Sequence, residues 1–226
     1  EEEQEKLFEA EAKALKKDLF TCPVDREPVH AAVSKKNEGF LSASQVQYVC
    51  RAGNYKKNGL EYTGVLRMLR GILNTDYLWN TVRVKGGAYG CMNGYMRNGD
   101  TYFVSYRDPN LSATNEIYDG IPAYLEKFDA DEREMTGYII GTISDMDTPM
   151  NPSAKGARSM TAYLQELDYE TLSKERSQII GAQPADIRAL KPLIASVLSD
   201  GSLCVIGNED VLTSEKQMFE TLESLT

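Results

Sequence analysis

Ala88-Tyr89-Gly90-Cys91-Met92-Asn93-Gly94-Tyr95-Met96-Arg97, then Asn98-Gly99, then Asp100-Thr101-Tyr102-Phe103-Val104-Ser105-Tyr106-Arg107 is the stretch on which the fold turns. Two strand-like runs rich in aromatic and β-branched residues flank an Asn-Gly pair. That pair favours a tight hairpin, because both central residues of a two-residue turn need positive φ. The reading is an antiparallel hairpin, 88–97 with 100–107, closed by a two-residue Asn98-Gly99 turn inside a main sheet. Asp108-Pro109 ends the second strand.

Upstream, residues 61–73 place Val65, Met68, Leu69, Ile72 and Leu73 on one stripe, the period of an amphipathic helix. Thr75-Asp76 offers a fresh cap for a second short helix running towards Arg83. Residues 40–51 alternate Val46, Tyr48 and Cys50 against Gln45 and Gln47, a half-buried strand with the first set inward. Residues 1–19 read as a helix with a thin apolar face at Leu7, Leu15 and Phe20, broken by Cys22-Pro23 and Glu27-Pro28.

Downstream the pattern turns helical. One helix covers roughly 114–128, with Pro122 predicting a kink. A second starts at Asp129 with Glu132 as a capping box and runs to about 145; its Gly137 and Gly141 share a face and permit close approach of another element. Helices near 153–167, 171–182 and 185–199 follow, then a buried strand at Leu203-Cys204-Val205-Ile206 and a closing helix over 210–224. A hairpin followed by a helical block indicates an α+β fold, an antiparallel or mixed sheet with helices packed on one face. No repeat or low-complexity linker interrupts it. Residues 1–226 therefore read as a single domain, with 1–27 as a peripheral helix and connector.

The 226 residues carry 25 Lys and Arg against 34 Asp and Glu, a net charge of −9, and the mean hydropathy is −0.42. No stretch approaches the ~18 apolar residues of a membrane span. So acidic a chain is a poor binder of nucleic acid or of an anionic membrane, where Lys and Arg supply the affinity. His30 is the lone histidine, so no site with two histidines forms within the chain and any Ser–His–Asp or Cys–His machinery must pass through it. Cys22, Cys50, Cys91 and Cys204 show neither C-x-x-C nor metal-knuckle spacing. They read as reduced thiols, which points to the cytoplasm. Asp145-Met146-Asp147 reads as solvated rather than as a cation site, Trp79 as core, and Ser105 lacks a nucleophile-elbow context.

The densest unusual segment is Arg83-Val84-Lys85-Gly86-Gly87-Ala88-Tyr89-Gly90, with three glycines in five positions. It fits neither the dinucleotide fingerprint nor the P-loop spacing. Two readings stand. Either Arg83 and Tyr89 are polar tips that meet the carbonyls of an extended peptide or a developing oxyanion, or Arg83 is salt-bridged at the surface and Tyr89 lies in the sheet.

Tyr77-Leu78-Trp79-Asn80, this glycine loop, and Ser105-Tyr106-Arg107-Asp108-Pro109-Asn110-Leu111 together resemble the last domain of presequence-protease-type zinc metallopeptidases, of the pitrilysin/insulinase clan. Ile139-Ile140-Gly141-Thr142-Ile143 followed by Asp147 and Pro149, and Val205-Ile206-Gly207-Asn208, extend the likeness over about residues 38–210. The resemblance implies the fourth of four related α+β domains, paired into halves that close around a chamber. It implies zinc in the first domain, on an inverted H-x-x-E-H helix that is absent from this sequence. The fragment itself is then expected to bind no cofactor and to be inactive alone. Its partners would be the preceding domains of its own chain and a peptide substrate. The resemblance further implies that Arg83 and Tyr89 reach the substrate across the chamber, with Gly86 and Gly87 shaping the loop. The alternative it leaves is a non-catalytic scaffold or partner subunit of the same clan.

Overall fold

The computed structural model describes residues 2–19 and 34–225. His30, Cys22, Phe20 and the expected breaks at Cys22-Pro23 and Glu27-Pro28 lie outside them. Two compact units emerge, the first ending at Ser34 and the second running from Lys35 to Thr226. In the first, α1 (Glu2–Leu19) leaves Leu7, Phe8 and Leu15 exposed.

The second unit runs β1 (Asn37–Ser42), β2 (Gln47–Asn54), α2 (Val65–Ile72), two π-helical turns (Leu73–Tyr77 and Trp79–Lys85), β3 (Gly90–Tyr95), β4 (Asp100–Asp108), α3 (Ser112–Asp119), α4 (Ile121–Glu126), α5 (Glu132–Met146), α6 (Pro152–Leu164), α7 (Tyr169–Ile180), α8 (Pro184–Arg188), α9 (Lys191–Asp200), β5 (Ser202–Asn208), α10 (Glu209–Ser214) and β6 (Thr221–Ser224). The six strands lie in the order β3-β4-β2-β5-β1-β6. Pairing is antiparallel from β3 to β5 and parallel for β1 with β5 and β6, so the sheet is mixed. One face is core: Val49, Phe103, Leu203 and Val205 are buried under the helices, whereas Tyr48, Met92 and Ile206 on the opposite face are 44%, 41% and 40% exposed.

The hairpin forms, but its loop has three residues. Met96 N–H donates to Asp100 O at 2.7 Å, and Gly99 N–H donates to Met96 O at 3.0 Å. Among the described residues outside glycine only Arg107 and Glu166 have positive φ, so Asn98 does not, while Gly99 sits at φ +99°. This is a turn over Arg97-Asn98 followed by a glycine bulge.

The 40–51 strand is two strands, β1 and β2, and the buried face of β2 is inverted. Gln47 and Val49 point inward and Tyr48 outward. A bulge between Gln47 and Val49 shifts the register, and the Gln47 side chain donates to Pro109 O at 3.1 Å. The extra residue of that irregularity lies on β4, between Ser105 and Asp108, so β2 keeps its own alternation across it.

α2 buries the expected stripe but is not followed by a new capped helix. Thr75 Oγ1 bonds back to Gly71 O, Thr81 Oγ1 to Tyr77 O and Asn80 Nδ2 to Asp76 O, so these side chains serve carbonyls of the widened turns instead of capping. Buried Leu73, Leu78 and Val82 keep one face by steps of five and four.

Further along, the 114–128 helix breaks at Gly120 before Pro122. The capping box is Asp131 with Glu134, two residues later than expected. The 185–199 helix is split into α8 and α9 ahead of Pro192. The closing helix stops at Ser214; the chain end becomes β6 because the edge of β1 is free to pair, with Glu220 N–H on Asn37 O at 2.7 Å and Leu225 N–H on Leu41 O at 3.1 Å. Nothing in the structure lies within 4 Å of a Cβ built on Gly137 or Gly141, so the expected close approach there is absent.

Candidate functional site

Arg83 stands at the end of the second π-helical turn, and Tyr89 one residue before β3. The loop between them is pinned by backbone bonds. Gly86 N–H donates to Thr81 O, Gly87 N–H to Arg83 O, Ala88 N–H to Val82 O and Tyr89 N–H to Arg107 O, at 2.9–3.2 Å. Gly87 has φ +82°, the left-handed region that glycine tolerates. A Cβ on Gly86 would come within 2.5 Å of Val82 O. The loop's path thus leaves little room for a side chain at Gly86 and favours glycine at position 87.

The two tips are held by aromatic and cationic neighbours. The Arg83 guanidinium lies 4.0 Å from the centroid of Trp79, four residues back on the helix. Among the described residues no carboxylate is within ion-pair distance of it. Trp79, expected in the core, is 46% exposed; the widened helix turns it out, and the guanidinium covers it. The Tyr89 ring is 59% exposed, 5.6 Å from Tyr106 and 5.5 Å beneath the Arg107 guanidinium. Arg107 takes φ +49°, which lifts it out of the strand alternation before Asp108 turns inward.

Asp108 is the brace below. Its Oδ1 accepts from Asn110 N–H at 2.9 Å and its Oδ2 from Thr114 Oγ1 at 2.7 Å, while Asn110 Nδ2 donates to Gly86 O at 2.6 Å. The loop is therefore fastened to the end of β4. Burial pushes the Cys91 thiol up to about 11, with Asp108 adding to the rise and Arg83 opposing it. An exposed fork of donors and a phenol, held on a fixed loop, can donate hydrogen bonds to carbonyl oxygens.

Sequence reasoning passed over Trp79, Tyr106 and Arg107. The i, i+4 spacing of Trp79 and Arg83 on a helix was the available signal for the first; the positive φ of Arg107 has none. Ser105 is fully buried on the core face. Asp147 is bonded to Arg176 at 2.7 and 2.8 Å. Among the described residues no group of three His, Cys, Asp or Glu side chains is placed to hold a metal ion. No helix among them is long and apolar enough to cross a membrane. A groove of about 1450 Å³ lies away from this loop, lined by Tyr62, Arg67, Arg97, Tyr138 and Glu175 among others.

The fold is that of pitrilysin-like peptidase domains. The chain superposes on the crystal structure of pitrilysin with a TM-score of 0.57 at 12% identity, covering 85% of this chain and 22% of that one. It superposes on a peptidase M16 inactive domain from Pseudomonas fluorescens with a TM-score of 0.58 at 13% identity, covering 81% and 47%. Residues 37–209 match the family described as PreP C-terminal domain, and the chain belongs to that family. Protein HypA of Clostridium perfringens is 44% identical over 224 residues, covering 99% of this chain and 23% of that protein. Presequence protease 1, chloroplastic/mitochondrial, of Arabidopsis thaliana is 34% identical over 195 residues, covering 84% and 18%. The chain thus spans about a fifth of the length of these curated relatives.

Proposed function

We propose that this chain is the C-terminal, substrate-binding and chamber-forming domain of a zinc-dependent metalloendopeptidase that degrades peptides. The observation that carries the reading is the pinned glycine loop with Arg83 and Tyr89 both exposed at its ends. A guanidinium stacked on Trp79 and a phenol flanked by Tyr106 and Arg107 are pre-oriented donors. Such donors stabilise developing charge without reorganising when it appears. Their role is to orient a peptide and to donate hydrogen bonds to its carbonyl oxygens. The zinc and its H-x-x-E-H helix belong to a part of a longer chain that precedes these residues, and the 226 residues alone cleave nothing. The partners on this reading are those preceding domains and the peptide, not nucleic acid or membrane, in the cytoplasm.

In the longer enzyme, Arg83→Ala or Tyr89→Phe should lower kcat/KM for peptides by ~10-fold or more, corresponding to about 1.4 kcal/mol of transition-state stabilisation. Thermal unfolding should shift little, since exposed substitutions stay within about ±0.5 kcal/mol. Variants that unfold early while the folded fraction cleaves normally would make both residues mere braces. A second reading, a non-catalytic scaffold of the same clan, is favoured by the likeness to an inactive peptidase domain. On that reading neither substitution changes turnover in the assembly.

A further inference from the structure

Cys50 and Cys204 stand directly opposite each other on β2 and β5, the two central strands of the sheet. Two residues along the same pair of strands, Tyr48 and Ile206 also face each other, both exposed. The thiols therefore lie on the face of the sheet opposite the core, and each is half-buried and free. Val104 on β4 and Glu38 on β1 flank the pair in the same row; Glu38 pairs with Lys36 at 3.5 Å, and its charge adds to the rise of the Cys204 thiol. Directly opposed residues of an antiparallel pair have Cα atoms roughly 4.5 or 5.5 Å apart, and disulfides span about 4.4–6.8 Å. The backbone spacing of this register therefore lies within the reach of a Cys50–Cys204 bridge. Among the described residues Cys91 has no such partner: it pairs with buried Ser105 on the other face.

We propose that Cys50 and Cys204 form a redox-modification site, oxidised to a cross-strand disulfide by small disulfides of the glutathione class. The thiolate of one cysteine attacks the small disulfide, forms a mixed disulfide and releases one small thiol. The second cysteine attacks the protein sulfur of that mixed disulfide, forms the Cys50–Cys204 bond and releases the second small thiol. Two electrons pass from the pair to the reagent, and the two thiol protons leave on the two released thiols. Burial holds both thiols above their ordinary pKa, so neither is an activated nucleophile. Proximity favours the second step. The bridge would tie two strands that are distant in sequence and constrain the unfolded chain. The inference does not rest on the peptidase reading.

The test is to treat the full chain, natively folded, with oxidised glutathione, quench with acid, alkylate, digest and weigh the peptides. The expected product is the Cys50 peptide joined to the Cys204 peptide, two hydrogens lighter than their sum, with a thermal midpoint raised until a reductant is added. In Cys50→Ala the remaining Cys204 should carry a glutathione, and in Cys204→Ala so should Cys50. The proposal is overturned if both wild-type cysteines stay open to alkylation, if each keeps its own glutathione, or if cross-links scatter onto Cys91.

Discussion

α2 and α6 are both helices that the sequence leads one to expect, and they end differently. Five of the eight residues of α2 are buried: Val65, Leu66, Met68, Leu69 and Ile72. None of the thirteen in α6 is. Met160, Tyr163 and Leu164 are exposed at 61%, 82% and 72%. What holds α6 is local: Pro152 in its first turn and the Asn151 side chain accepting from Ala154 N–H at 2.8 Å. A hydrophobic stripe predicts a helix, but whether the stripe is covered depends on what else the chain brings to that side.

The sharpest way to break this contrast is a pair of ring deletions. Phe103 is fully buried and touches the Tyr95 and Tyr118 rings. Phe103→Ala should cost about 3–5 kcal/mol, the usual range for an aromatic removed from a core. Tyr163→Ala should stay within about ±0.5 kcal/mol. Denaturant midpoints at constant slope measure both. An equal loss in Tyr163→Ala would mean that α6 is packed after all.

The same contrast marks what could be read beforehand. The hairpin, the stripe of α2 and the mixed sheet under helices followed from local patterns that tertiary contacts reinforced. The π-helical turns did not, because Thr75-Asp76 has the chemistry of a cap and was used for back-bonding instead. The face of β2 was misread because a buried Gln47, tied to Pro109, outweighs the apolar alternation. β6 escaped because its pairing is non-local: the edge of β1, from the start of the unit, captures its end. At the candidate site the glycine loop, Arg83 and Tyr89 stood out as residues. The stack on Trp79 depends on a helix widened by tertiary packing, and Arg107 on a backbone conformation that no residue type announces.

A smaller effect tests the hairpin against the helical block. Gly99→Val should cost about 1–2 kcal/mol, the penalty for a side chain in left-handed backbone. Asn54 aggravates it, since a Cβ on Gly99 would lie 2.4 Å from its Oδ1. The measurement is again the denaturant midpoint. A neutral result would mean that the loop relaxes to another turn, and the region that positions Tyr89 would be softer than the comparison holds.

The smallest expected effect lies in the thin region, where Asp147 at the end of α5 pairs with Arg176 on α7 at 2.7 and 2.8 Å. The hydrogen bonds from Arg176, helped by its charge, hold the Asp147 carboxyl below its ordinary range. A carboxyl depressed in the folded state stabilises fully above its unfolded pKa, about 4, and that contribution is lost as the pH falls through the lower folded value. Asp147→Asn should therefore lower the thermal midpoint slightly at pH 7, and the difference should fade as the pH drops through the folded value. Added salt should shrink the difference, because both groups face solvent. A double-mutant cycle with Arg176→Gln isolates the pair from other losses. A coupling as large at pH 2 as at pH 7 would show that the pair acts through packing, and that the α5–α7 contact is less bare than its exposed faces indicate.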